Sequence, residues 1–135
     1  MKKIIVLLLI ILVPASIWYW GNRSLHQPIS VNNVVSIKIW TAISGFDSRK
    51  AAPEEIQNIV KWFNSSNNIR QNKYFAGITP YAGIIIELKT GKQINIINSG
   101  EDFEVQRYVG FKKVSYWAKQ KDIRELLAKL ASGEI

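Results

Sequence analysis

The chain has 135 residues, with 18 Lys and Arg against 10 Asp and Glu and a formal net charge of +8. It contains no cysteine, which excludes disulfides, thiol nucleophiles and thiolate metal sites. Its length suits one folded domain after an N-terminal apolar run, and its basic balance favours anionic partners.

The apolar run extends from Ile4 to Trp20 without a charged residue. A helix of about 17–25 apolar residues crosses a bilayer, so we predict a transmembrane signal anchor over residues 1–20. Residue types that favour the two membrane interfaces lie at both ends: Lys2 and Lys3 precede the run, and Trp18, Tyr19 and Trp20 close it.

The two lysines before the run predict the topology of this anchor. Positive flanks stay in the cytoplasm, so we expect a single-pass protein of the cell membrane with an extracytoplasmic C-terminal domain. The alternative is a cleaved signal peptide, with Val13 and Ala15 spaced like a weak cleavage site, which would release a secreted protein.

Residues 21–33 are polar with Gly and Pro and predict a short tether. The single histidine, His26, lies here, and we expect it to be solvated. The folded domain is predicted over residues 34–135.

The domain begins with a strand and a helix. Val34 to Thr41 alternates in the period of a half-buried strand, and a turn is expected over Ile43 to Lys50. Ala52 to Ser65 is predicted to be a helix with one apolar stripe, formed by Ile56, Ile59, Val60 and Phe63.

The stretch from Ile69 to Gly83 is the least regular part of the domain. It holds five candidate binding residues, Arg70, Lys73, Tyr74, Phe75 and Tyr81. This mixture predicts either a binding rim or a loop whose rings cover the core. Tryptophans outside the apolar pattern are further candidates for exposed binding residues, namely Trp40 and Trp62, together with Trp117.

A β-hairpin follows, with strands over Ile84–Leu88 and Ile94–Ile97. A three-residue loop ending at Gly91 pairs Ile86 with Ile94, which keeps apolar side chains on one face. That loop requires positive φ at its last residue, which glycine adopts without strain.

The rest of the chain predicts a turn over Asn98–Asp102, strands over Phe103–Val109 and Lys112–Ala118, and a helix over Lys121–Ala131. The order after the anchor is therefore β-α-β-β-β-β-α. It predicts an α+β fold, a two-layer sandwich with a mainly antiparallel sheet and two helices on one face.

The pattern resembles a family of small exported or membrane-anchored proteins of Gram-positive bacteria whose function is uncharacterised. The likeness covers about Val34 to Leu130 and lies in three segments, Glu54–Asn64, Lys89–Lys92 and Tyr116–Leu130. The chain departs from that family in lacking a lipid-anchor cysteine. The resemblance implies a fold and an exported location, and no activity.

Catalytic and metal-binding patterns are weak in this sequence. A nucleophile needs a nearby base, and the single histidine lies in the predicted tether. Glu101, Asp102 and Glu104 could offer oxygen ligands to calcium, but three carboxylates at one turn are too few, and we interpret them as solvated. We therefore predict no enzyme activity, no cofactor and no metal.

Two functional hypotheses remain. The first is a non-catalytic protein-interaction domain of the bacterial envelope, which docks on another envelope protein. The alternative is a binding module for an anionic envelope component, either lipid head groups or a wall polymer. Export argues against nucleic acid as a partner.

Overall fold

The structure is a computed structural model that describes residues 2–77 and 79–135, with the α1 side chains described over residues 3–17 and at Leu25. The helices in this part are α1 (Lys2–Leu25), α2 (Pro53–Asn64) and α3 (Lys121–Ala131). A short 3-10 helix, Val31–Asn33, precedes the first strand. The strands are β1 (Val34–Thr41), β2 (Asp47–Lys50), β3 (Asn67–Gln71), β4 (Ala82–Leu88), β5 (Gln93–Ser99), β6 (Asp102–Val109) and β7 (Lys112–Lys119).

The strands form one antiparallel sheet in the order β2-β1-β4-β5-β6-β7-β3. The apolar stripes of α2 and α3 are buried in one core with alternate side chains of the central strands. Each such side chain contributes about 1.5–3 kcal/mol on burial. The largest fully buried side chains are Tyr116, Phe63, Phe103, Ile37, Ile39, Ile59, Ile84 and Ile86. The α+β part of the predicted fold class agrees with this architecture.

The predicted register of the β4–β5 hairpin is confirmed. Ile86 pairs with Ile94 and Ile84 with Ile96, so the apolar side chains share the core face. The loop ends at Gly91, whose φ of 84° lies in the left-handed region. The turn geometry and the apolar pattern thus specify one register together.

Two strands differ from the predicted order. β2 lies where we expected a turn, and β3 lies at the start of the stretch that we expected to be least regular. Both are edge strands of the sheet. An edge strand pairs on one side only, and these two are short and polar, so they lack the alternating apolar pattern that identifies a strand in sequence.

The predicted transmembrane anchor needs correction. Among the described residues, no helix is both long and apolar enough to cross a membrane. The structure therefore does not support a signal anchor over residues 1–20 or a single-pass location in the cell membrane.

The end of α1 and the segment that follows it lie against the domain. Ile29 exchanges two backbone-to-side-chain hydrogen bonds with Asn64, each of 2.8 Å, and Leu25 packs on the core. His26 is half-buried rather than solvated as expected. Its Nδ1 lies 2.7 Å from the Tyr116 hydroxyl and its Nε2 lies 2.7 Å from the Phe63 carbonyl oxygen.

Candidate functional site

The side of the sheet opposite α2 and α3, here called the open face, carries a mixed apolar and polar centre. Cross-strand neighbours on β4, β5 and β6 form this centre. Asn95 on β5 pairs with Ile85 on β4 and with Gln106 on β6, and Ile97 on β5 pairs with Glu104 on β6. Alternation along each strand places these side chains away from the core. No residue of α2 or α3 lines this centre in the described part of the chain.

The chain between β3 and β4 crosses the open face and is fixed at both ends. At its start the Asn72 N–H donates to the Ser115 carbonyl oxygen over 2.8 Å. At its end the N–H groups of Tyr81 and Ala82 both donate to Asn98 Oδ1 over 3.0 Å. The open space beside it, here called the aromatic cavity, measures about 430 Å³, and the crossing segment contributes Phe75, Gly77 and Pro80 to its lining.

Trp40 and Phe46 form the β1 wall of the aromatic cavity. Their rings stack with centroids 5.9 Å apart and planes inclined by 27°. The indole lies flat over Gly83, its cross-strand partner on β4, where a Cβ would come within 2.6 Å of Trp40 Nε1. Glycine at position 83 is therefore what allows the indole to lie on the sheet.

Glu104 supplies the one carboxylate among the described residues that line the cavity. It is 3% exposed, and its Oε1 accepts hydrogen bonds from Ser115 Oγ over 2.5 Å and from Gln106 Nε2 over 3.0 Å. A Cβ at Gly77 would lie 3.2 Å from Glu104 Oε2, so this oxygen faces the crossing segment. Our interpretation of Glu104 as part of a solvated turn is wrong, because it lies inside β6 on the open face.

The predicted binding residues fall into separate places. Trp40 and Phe75 meet at the aromatic cavity. Tyr74 is 89% exposed beside it, and Tyr81 is also exposed. Trp62 is half-buried on α2 and packs against the core, outside the open face.

The two basic candidates of that stretch have different surroundings. Arg70 forms an ion pair with Asp102 and lies 5.8 Å from the ring centroid of Trp117. Lys119 Nζ approaches the other Asp102 oxygen at 3.6 Å. Lys73 is exposed and lines a different cavity, beside β7.

The membrane-interface candidates lie in α1. Lys3 is exposed, and the side chains of Lys2, Trp18, Tyr19 and Trp20 fall outside the described side chains.

A polar cluster on the helix side of the sheet joins the N-terminal segment to β6 and β7. The Phe63 carbonyl can only accept, so His26 donates from Nε2 and receives the Tyr116 hydroxyl at Nδ1. Burial lowers the pKa of His26 from 6.5, and it raises the pKa of Tyr116 to about 12. Arg107 completes the cluster, since it donates to the Gln27 carbonyl over 2.7 Å and its guanidinium lies 5.6 Å from the Phe63 ring centroid.

Sequence reasoning missed Phe46 and Glu104 as site residues. Phe46 lies in the segment before β2, which carries no periodic signal. Glu104 did offer a signal, because it alternates with the buried Phe103 and Val105 and so belongs to the opposite face of one strand.

Among the described residues that line the aromatic cavity, Glu104 is the one with an ionisable side chain. No group of three or more His, Cys, Asp or Glu that could hold a metal ion occurs in the described part of the chain. Comparisons with protein-family models, with curated proteins and with solved structures gave no significant match. The resemblance to exported Gram-positive proteins stays a prediction.

Proposed function

We propose that this chain is a non-catalytic protein-interaction domain that binds a segment of a partner protein in its aromatic cavity. The observation that carries this proposal is an aromatic-lined cavity with one buried carboxylate, on a sheet face that neither α2 nor α3 covers.

The rim of the cavity offers apolar area to a partner. Phe46 is 70% exposed and Phe75 is 49% exposed, and they flank the same space. Aromatic side chains supply large contact areas and are enriched at the centres of protein interfaces. A partner segment would therefore place an apolar side chain between these rings.

The floor of the cavity favours a positively charged group. A carboxylate at 3% exposure interacts with a cation more strongly than a solvated one does, because water screens it less. The stacked rings of Trp40 and Phe46 add a favourable face for Lys or Arg. Asn95 and Gln106 offer hydrogen bonds to the backbone of a bound segment.

The test is selection of a random-peptide display library on the immobilised full-length chain. We expect enrichment of peptides with a Lys or Arg next to an aromatic or aliphatic residue. Phe46→Ser should abolish this enrichment, whereas Phe111→Ser should not, because Phe111 is even more exposed than Phe46 but lies at the β6–β7 turn away from the cavity.

Glu104→Gln tests the charge requirement separately. We expect this variant to enrich apolar peptides without the basic residue. Recovery of the same basic peptides with the Phe46→Ser variant, or enrichment with no preference for Lys or Arg, would refute the proposal.

A further inference from the structure

A second region of the surface, along the β6–β7 end of the sheet, gathers basic residues without acidic ones. Two adjoining cavities of about 300 Å³ and about 370 Å³ share Lys113 in their linings. Lys92 and Arg107 line the first, and Lys73 and Lys112 line the second. Among the described residues, neither lining contains Asp or Glu.

These five cations also lack carboxylate partners nearby. Every ion pair within 4.0 Å in the described part of the chain involves other basic residues, on β2, β3, β7 and α3. Like charges that line the same region repel one another, and an anionic ligand relieves that repulsion. The carboxamides of Gln93, Asn95 and Gln106 add neutral donors along the same floor.

Two of the cations are held in place by the fold. Lys92 Nζ donates to the Gly110 carbonyl over 2.9 Å and lies 5.8 Å from the ring centroid of Tyr108. Arg107 is 7% exposed, and its guanidinium lies on the helix side of the sheet. It therefore adds positive electrostatic potential from the opposite side of the sheet. An ordered amine loses less side-chain entropy on binding than a free one.

The row of cations is too long for a single small anion. Lys113 pairs with Tyr108, and the Asn72 N–H binds the Ser115 carbonyl, so the row crosses from β5 through β6 and β7 to the segment after β3. Three strand spacings of about 4.8 Å give a length of about 14 Å. A chain of phosphates can bridge that length.

We propose that the two cavities form one basic groove that binds a linear phosphate polymer through the amines of Lys92, Lys113 and Lys73. The lining offers amines and carboxamides, while the rings of Tyr108 and Phe75 stand at separate ends. A groove for single-stranded nucleic acid would instead present a row of stacking rings. The lysines of the groove do not line the aromatic cavity, and this proposal does not depend on the proposed function.

The experiment measures fluorescence anisotropy of labelled inorganic polyphosphate with the full-length chain at low and physiological salt. Lys92→Gln combined with Lys113→Gln should weaken binding about 10- to 30-fold, since each amine next to a phosphate contributes about 1 kcal/mol. The matched control combines Lys61→Gln with Lys129→Gln, which removes the same charge from α2 and α3. We expect that control to change affinity less than about twofold, because those amines lie outside the groove.

An equal loss of polyphosphate affinity in the two double variants would overturn the proposal, since it would show that the polymer responds only to the net charge of the protein. Equal affinity for oligo-dT, with the same sensitivity to Lys92 and Lys113, would overturn the assignment of the ligand as a phosphate polymer without bases. Circular dichroism on each variant establishes that the sheet is retained.

Discussion

Gly83→Ala tests the described site directly, because it adds a single methyl group that overlaps the Trp40 indole. An ideal Cβ at Gly83 would lie 2.6 Å from Trp40 Nε1 and 2.7 Å from Cε2 and Cζ2. Favourable contacts between such atoms lie near about 3.5–4.0 Å, so the indole must move away from the sheet by about 1 Å.

We expect Gly83→Ala to lower the free energy of unfolding by about 1–3 kcal/mol, the usual range for overpacking. For a domain of this size the melting temperature should fall by about 4–8 °C for each kcal/mol. Thermal unfolding followed by circular dichroism measures the loss, and tryptophan fluorescence reports the displaced indole.

The control is the same substitution in a Trp40→Ala background. Without the indole, alanine at position 83 meets no ring atom, and it loses less conformational entropy in a strand than glycine does. In this background Gly83→Ala should therefore raise the free energy of unfolding by about 0.5–1 kcal/mol. The same loss in both backgrounds would refute the close contact between the indole and the backbone of β4.

Three further predictions concern the fold. Gly91→Ala should destabilise the chain by about 1–2 kcal/mol in urea unfolding, because φ of 84° is strained for alanine, and Gly91→Asn should lose less. Thr41→Val should lose about 0.5–1.5 kcal/mol in the same assay, since it removes the 2.5 Å hydrogen bond to the Leu130 carbonyl while the Gly133 N–H still donates to that oxygen. The folded state lowers the pKa of His26 below 6.5, so its contribution to stability is complete above pH 6.5 and is lost as the pH falls through the folded value. The stability difference between the wild type and His26→Gln should therefore shrink between pH 7 and pH 5.5, and a constant difference would contradict the neutral ring.

The central strands and two helices of the domain could be predicted from sequence because their apolar residues recur at the regular spacing of a strand or a helix. β1 and α3 have the predicted bounds, and the β4–β5 register followed from matching isoleucines across a three-residue loop. Edge strands gave no such signal, since a polar strand that pairs on one side has no buried face to mark it.

The candidate site was less accessible to sequence reasoning, because it depends on which residues the topology brings together. Trp40 and Phe75 were singled out as rings near basic residues, but their meeting over β4 and β5 requires the crossing segment to be fixed by Asn72 and Asn98. His26 was placed in a polar tether by composition alone. Its burial depends on Tyr116, 90 positions further along the chain.

The aromatic cavity and the basic groove are adjacent, and their electrostatics are complementary rather than competing. Asn95 and Gln106 line both the aromatic cavity and the first part of the groove, and Phe75 lines the cavity and the second part. A Lys or Arg side chain bound over Glu104 would therefore stand beside a phosphate chain lying along the lysines. Unlike charges at that separation attract, so each ligand should raise the affinity of the chain for the other by the same factor. A neutral apolar peptide in the cavity would leave the affinity for polyphosphate unchanged, because it adds no charge beside the groove.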